Sequence, residues 1–170
     1  VGSGGTGTMR DKLDAAGIPT HTVAGWQRNI NPLKELQSWW SLYRLLREVR
    51  PDVLHLNSSK AGLSGAVVGR IAGVKNIVFT VHGWPFLEPR PPWWRALTWL
   101  GMYVTALFVH TLIPISHYDI AHAHMPGVKR KFAPVVHNAV PEITFLPQRE
   151  ARTALVGGDV AEANTAAAWL

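Results

Sequence analysis

Three short runs constrain this chain more than anything else in it: "DVLHL" at 52–56, "NIVFTV" at 76–81 and "LIPIS" at 112–116. They are apolar runs rather than strict alternations of apolar and polar residues. Each therefore reads as a strand with both faces covered. Helical stretches lie between them. "KAGLSGAVVGRIA" at 60–72 has "NSS" ahead of it as cap and Gly73 behind it as stop. Its Ala61, Gly62, Gly65, Ala66 and Gly69 make one side small enough to lie close on a sheet. Buried strands alternating with helices predict an α/β, Rossmann-like parallel sheet with helices on both faces.

The remaining elements fit this frame. "TMRDKLDAA" at 8–16 predicts a helix stopped by Gly17, and "IPTHTV" at 18–23 a strand. From Pro32 to Val49 the residues Leu33, Leu36, Trp40, Tyr43, Leu46 and Val49 recur at steps of three and four, the pattern of a helix with one buried face. A long apolar helix is expected from about Trp93 to Thr111, a short one through "HYDIAHAH", and a further strand in "APVVHNAV" at 133–140. From Pro147 the composition turns to Ala, Gly and acidic residues. Residues 1–146 therefore read as one domain and 147–170 as a linker or the start of another. Val1 is not an initiator methionine, nothing at the front resembles a signal peptide, and both ends read as cut.

Composition bounds the function. With 47% hydrophobic and 16% charged residues among 170, the chain is globular. It has no cysteine, which excludes disulfides and thiolate metal sites. A net charge of +6 favours anionic partners without choosing among them. No aromatic–basic recognition motif points to nucleic acid.

In parallel sheets ligands bind outside the carboxyl ends of the strands. His82 stands at one such end, and Asn57 with Ser58, Ser116, and His137 with Asn138 stand at three more. Gly83, directly after His82, would let a ligand approach the backbone closely. Each residue also has a plainer use. His82 could be a core histidine. Ser58 and Ser59 suit a helix cap, beside a solvated Lys60, although the same helix start would attract an anion. Ser116 and Asn138 could merely cap and turn.

Other signals are weaker. Gly2, Gly4 and Gly7 match G-x-G-x-x-G, but no strand precedes them and no acid follows near position 24. His117, His122 and His124 are spaced wrongly for one helix face, so no metal site is expected. "VKRKF" at 128–132 reads as a wet basic surface or as a contact for anionic lipid or pyrophosphate. The stretch from 93 to 115 has the length of a membrane span and one charge, Arg95. Because "LIPIS" fits the next strand, the helix is expected to lie partly on the sheet and partly against lipid, with Trp93, Trp94 and Trp99 as anchors.

Taken in order, "RPDVLHLNSSKAGLSGAVVGRIAGV", "IVFTVHGWPF", "LIPISHYD" and "VVHNAV" resemble the N-terminal domain of retaining GT-B glycosyltransferases of family 4, also called group 1. "WQRNINPLKEL" at 26–36 is similar to a stretch that those proteins carry before the long helix. The resemblance runs from about residue 5 to 145 and is strongest toward members that build bacterial surface polysaccharides. It implies one half of a two-domain enzyme, with the acceptor held here and a nucleotide-sugar donor held by the other half. It implies His82 as the residue nearest the chemistry. Ser58, Lys60, Gly83, Ser116, Asn138 and Arg28 would be substrate contacts. It further implies no cofactor or metal, a lipid-linked or glycan acceptor, and a cytoplasmic location, peripheral on the inner face of the cell membrane. Ala139 replaces the family's usual glycine after the asparagine. The family's opening strand, glycine-rich loop and helix are not in this sequence. The competing reading is a non-catalytic Rossmann-like module that binds a phosphorylated ligand or an anionic membrane.

Overall fold

A computed structural model describes residues 8–27, 31–139 and 145–156. Arg28, Val140 and the glycine-rich opening lie outside them. Chain contacts divide the protein into two compact units, Val1–His137 and Asn138–Leu170. Each is described by itself.

The first unit holds a three-stranded parallel sheet flanked by helices. The order along the chain is α1 (Thr8–Ala15), α2 (Pro32–Val49), β1 (Val53–Leu56), α3 (Ser59–Ile71), β2 (Asn76–Val81), α4 (Pro92–Phe108), β3 (Thr111–Pro114) and α5 (His117–Ala121). The strands lie side by side as β1-β2-β3, with Leu56 opposite Phe79 and Val81 opposite Pro114. All three carboxyl ends therefore open on one edge, as the apolar runs predict. The second unit contains α6 (Gln148–Val156).

α3 rests on one face of the sheet because its glycines leave room. A Cβ on Gly62 would come 2.8 Å from the Phe79 ring, and one on Gly69 would come 2.8 Å from a Leu54 methyl carbon. Gly65 sits directly over Leu56. The other side of α3 meets α2 and α4. Gly73, at φ +83°, ends the helix. Its N–H reaches the Arg70 carbonyl at 3.1 Å and the Val74 N–H reaches that of Gly69 at 2.9 Å, the two bonds of a Schellman stop.

Three sequence expectations need correction. The stripe expected to be buried on α2 is largely exposed: Leu33 by 81%, Leu36 by 71% and Trp40 by 62%. Leu46 of that stripe is buried, and the helix's other buried residues are Ser38 and Leu42. The Ser38 hydroxyl donates to the Glu35 carbonyl at 2.8 Å, so its burial leaves no polar group unpaired. The turn at Gly25 packs against this point, where a Cβ would stand 2.7 Å from the Lys34 carbonyl oxygen. A small residue serves this contact better than a large apolar one. "IPTHTV" forms no strand; Thr22 alone is in a bridge, and Val23 is buried. "APVVHNAV" runs along β3 without becoming a regular strand. Phe132 bridges Leu112 in parallel, and the N–H groups of Ala133 and Val136 reach the Leu112 and Pro114 carbonyls at 2.8 and 3.0 Å.

His110, just before β3, carries a pH dependence. Its Nδ1 accepts the Ile77 N–H at 2.9 Å while the His110 backbone N–H donates to the Ile77 carbonyl at 2.8 Å. Burial holds the imidazole pKa below its ordinary value, and the Arg70 and Lys131 charges push the same way. The unfolded chain therefore binds more protons than the native one in this range, so stability rises with pH. The contribution is complete above about pH 6.5 and is lost as pH falls below it. His110→Asn keeps an acceptor for Ile77 and removes the titration. Thermal melts from pH 7 to pH 5 are expected to fall less steeply for this variant than for the unaltered protein.

Candidate functional site at the carboxyl edge of the sheet

A cleft of about 450 Å³ opens at the carboxyl edge of the sheet. Asn57, Ser58, Ser59, Phe79, Thr80, His82, Gly83, Trp84, Pro85 and Glu88 line it. Asn57 follows β1 directly, His82 follows β2 directly, and the serines open α3. The parallel register brings these groups together across the sheet although they are far apart in sequence.

His82 is exposed, and its ring makes no hydrogen bond among the described residues. It is thus free to bond a ligand. Gly83 has φ +114°, but nothing lies within 4 Å of where its Cβ would be. The glycine suits the backbone turn that follows His82, and the space where a side chain would stand is open at the cleft. Ser58 caps α3, its Oγ accepting the Ala61 N–H at 3.2 Å. Its hydroxyl proton remains available to a ligand.

The loop that carries His82 and Glu88 is anchored behind the cleft. The Trp84 indole is 4% exposed, donates Nε1–H to the Asp119 carbonyl at 2.8 Å and stacks on Phe86 at 5.5 Å. Arg95 of α4 donates Nε–H to the Phe86 carbonyl at 2.9 Å. Asp119 is itself fixed, because the Ser116 hydroxyl donates to Oδ2 at 2.7 Å and Ser116 Oγ accepts the Asp119 N–H at 3.3 Å. Ser116 therefore belongs to the support rather than to the lining.

The other expected contacts are placed differently. The Lys60 ammonium turns to Glu35 Oε1 and the Gln27 carbonyl, each at 2.5 Å, and lies 5.5 Å from the centre of the Trp26 ring. It is not part of the cleft lining. Asn138 belongs to the second unit, and Arg28 lies outside the described residues. The His122 ring stacks on Tyr118 at 3.8 Å and meets His124 edge-on at 5.9 Å. Among the described residues no group of three His, Asp or Glu is arranged to hold a metal ion.

Three residues that matter here escape a reading of the sequence. Asp119 had a signal: "SHYD" is an S-x-x-D cap pattern. Trp84 had a weaker one, since a tryptophan after a buried strand must find a partner for its N–H. Glu88 had none; it is a lone acid in a proline-rich loop. It supplies the one carboxylate among the residues that line the cleft, and its Oε2 meets Arg90 Nε at 3.5 Å on the exposed side.

The sequence model of Glycosyltransferase Family 4 matches residues 5–142. The chain belongs to glycosyltransferase family 4. Over 81 residues it is 40% identical to the UDP-Gal:alpha-D-GlcNAc-diphosphoundecaprenol alpha-1,3-galactosyltransferase of Escherichia coli. That stretch takes in 48% of this chain and 21% of that protein. The cleft of this family 4 domain thus lies where the fold class places ligands, and its lining includes an imidazole, a carboxylate, an amide and three hydroxyls.

Proposed function

We propose that the chain is the acceptor-side part of a retaining glycosyltransferase that moves a sugar from a nucleotide-sugar donor to a lipid-linked acceptor in cell-surface polysaccharide synthesis. The observation that carries this reading is the His82 imidazole, without a hydrogen bond among the described residues, on a polar cleft at the carboxyl edge of a family 4 sheet. The relative's acceptor is a sugar joined to a lipid through a diphosphate, which supports a similar acceptor class here.

In this reading the acceptor sugar enters the cleft, and Glu88 accepts hydrogen bonds from its hydroxyls. The two serines and the α3 N-terminus favour negative charge near Ser58. His82 points its imidazole toward the transferred sugar and the departing phosphate. The bond between the anomeric carbon and the phosphate oxygen breaks. The acceptor oxygen bonds to that carbon on the same face, and its proton goes to the leaving phosphate. His82 stabilises charge as it develops and removes no proton. Lys60 holds the base of α3 through Glu35 and touches no substrate. The donor is a substrate, and no cofactor is used. In this reading the enzyme works at the cytoplasmic face of the cell membrane, within reach of a lipid-linked acceptor.

The test uses the full-length protein, a panel of UDP-sugars and a short-chain lipid diphosphate carrying N-acetylglucosamine. An α-linked disaccharide formed from an α-linked donor, seen as a small anomeric proton coupling by NMR, is the expected product. A β-linked product would contradict retention, and no transfer from any nucleotide sugar would contradict the whole reading.

A further inference from the structure

α4 is apolar on all sides, yet only one side is covered. Met102, Thr105 and Ala106 are buried, and Trp99 stacks on Tyr103 beside them at 5.1 Å. On the opposite face stand Trp93, Leu97, Leu100 and Leu107, exposed by 67%, 54%, 52% and 48%. Half-buried Val104 fills the gap in this row. The spacing 93, 97, 100, 104, 107 is one continuous helical stripe. Arg95 is the one charged residue in α4, and its Nε is bonded to the Phe86 carbonyl. A helix face turned to water carries charged and polar side chains. The stripe itself carries none.

Cations gather at one end of the stripe. Arg70 donates Nε–H to the Phe108 carbonyl at 2.6 Å. The Lys131 ammonium donates to the carbonyls of Ala106, Leu107 and Val109 at 2.7, 2.8 and 2.8 Å. These bonds satisfy the carbonyls that the helix leaves open at its end. Lys129 and Arg130 adjoin them and are exposed. Among the described residues no carboxylate pairs with Arg70, Lys129, Arg130 or Lys131. Burial and the like charges of Arg70 and Arg130 lower the Lys131 pKa. An anion brought to this end relieves that repulsion.

We propose that the Trp93–Leu97–Leu100–Leu107 face of α4 lies flat in the headgroup–acyl boundary of a membrane containing anionic lipid, with Arg70, Lys129 and Arg130 on its phosphates. An apolar stripe without charges, a tryptophan within it and, beside it, cations with no carboxylate partner among the described residues are what an in-plane helix presents to an anionic lipid surface. The helix lies on the membrane and does not cross it; no helix of the described residues is long and apolar enough to span one. Trp94 and Lys131 contribute less than their sequence positions suggest. Trp94 is half-buried, with Trp93 edge-on to it at 5.6 Å, and Lys131 is occupied at the helix end.

The experiment is flotation of the full-length protein with vesicles of phosphatidylcholine alone and of phosphatidylcholine mixed with phosphatidylglycerol. Binding to the anionic vesicles is expected, with a fall at high salt. Leu97→Glu with Leu100→Glu should lower the bound fraction by about tenfold or more. Lys129→Glu with Arg130→Glu should remove the preference for anionic lipid while the stripe is intact. All four side chains lie outside the cleft, so transfer to a short-chain acceptor in detergent-free buffer should stay within about twofold for both variants, which also shows that they fold. Equal recovery with both vesicle types, or none with either, would overturn the proposal. So would a dimer that Leu97→Glu with Leu100→Glu dissolves, which would assign the stripe to a second copy. Vesicle binding is read without any sugar transfer, so its outcome is separate from that of the transfer reading.

Discussion

His82→Ala in the full-length enzyme is expected to lower kcat by about ten- to hundredfold and to leave the melting temperature unchanged. Stability is spared because the side chain is exposed and its ring holds no hydrogen bond among the described residues. The rate falls because a hydrogen bond to a group gaining charge contributes about 1.5–3 kcal/mol, and about 1.4 kcal/mol is a factor of ten. In the proposed mechanism the contact strengthens as the phosphate departs, so the loss should appear in kcat more than in KM. His82→Asn retains a donor and should recover part of the rate. Steady-state kinetics equal to those of the unaltered enzyme would remove His82 from the site.

Gly65→Leu is expected to destabilise the domain by about 3 kcal/mol or more, a large part of the stability of an ordinary domain. The glycine lies over the side chain of Leu56, a residue that is 6% exposed, so leucine there must displace a core side chain or lift the helix. Lifting α3 from the sheet would move both serines that line the cleft, since Ser58 caps that helix and Ser59 opens it. Gly101→Ala is the matching control. It is also a glycine inside a helix, but the one neighbour near its Cβ is a Leu63 methyl carbon at 4.0 Å. Alanine there should stabilise by about 0.5–1 kcal/mol through helix propensity. Urea denaturation of both variants measures the contrast; equal effects of the two would show that α3 is not held close to the sheet.

The parallel sheet, and with it the edge on which the cleft opens, was legible because buried strands write themselves as apolar runs. Pro32, Gly73 and the caps set helix limits that agree with the structure to within a residue. The buried face of α2 was not legible. Hydrophobic periodicity marks Leu33, Leu36 and Trp40, whereas the contact is made by Ser38 against a glycine turn, and a hydroxyl bonded to its own helix is invisible to a hydrophobicity pattern. The same limit applies to "APVVHNAV", where apolar residues follow β3 through single bonds and one bridge rather than a full ladder. Within the site, His82 and Ser58 were legible from their place at a strand end and a helix start. Lys60 was misplaced because its partner Glu35 is distant in sequence. Glu88 joins the cleft only through the fold of its loop.

Photo-crosslinking of the full-length protein with a lipid-diphosphate acceptor that carries a diazirine on its terminal sugar tests the central claim most directly. The acceptor is expected to label peptides containing Asn57–Ser59 and His82–Glu88, and unlabelled acceptor should compete. Labelling confined to the opposite edge of the sheet, around Pro51–Val53 and Lys75–Asn76, would contradict the placement of the acceptor in this cleft.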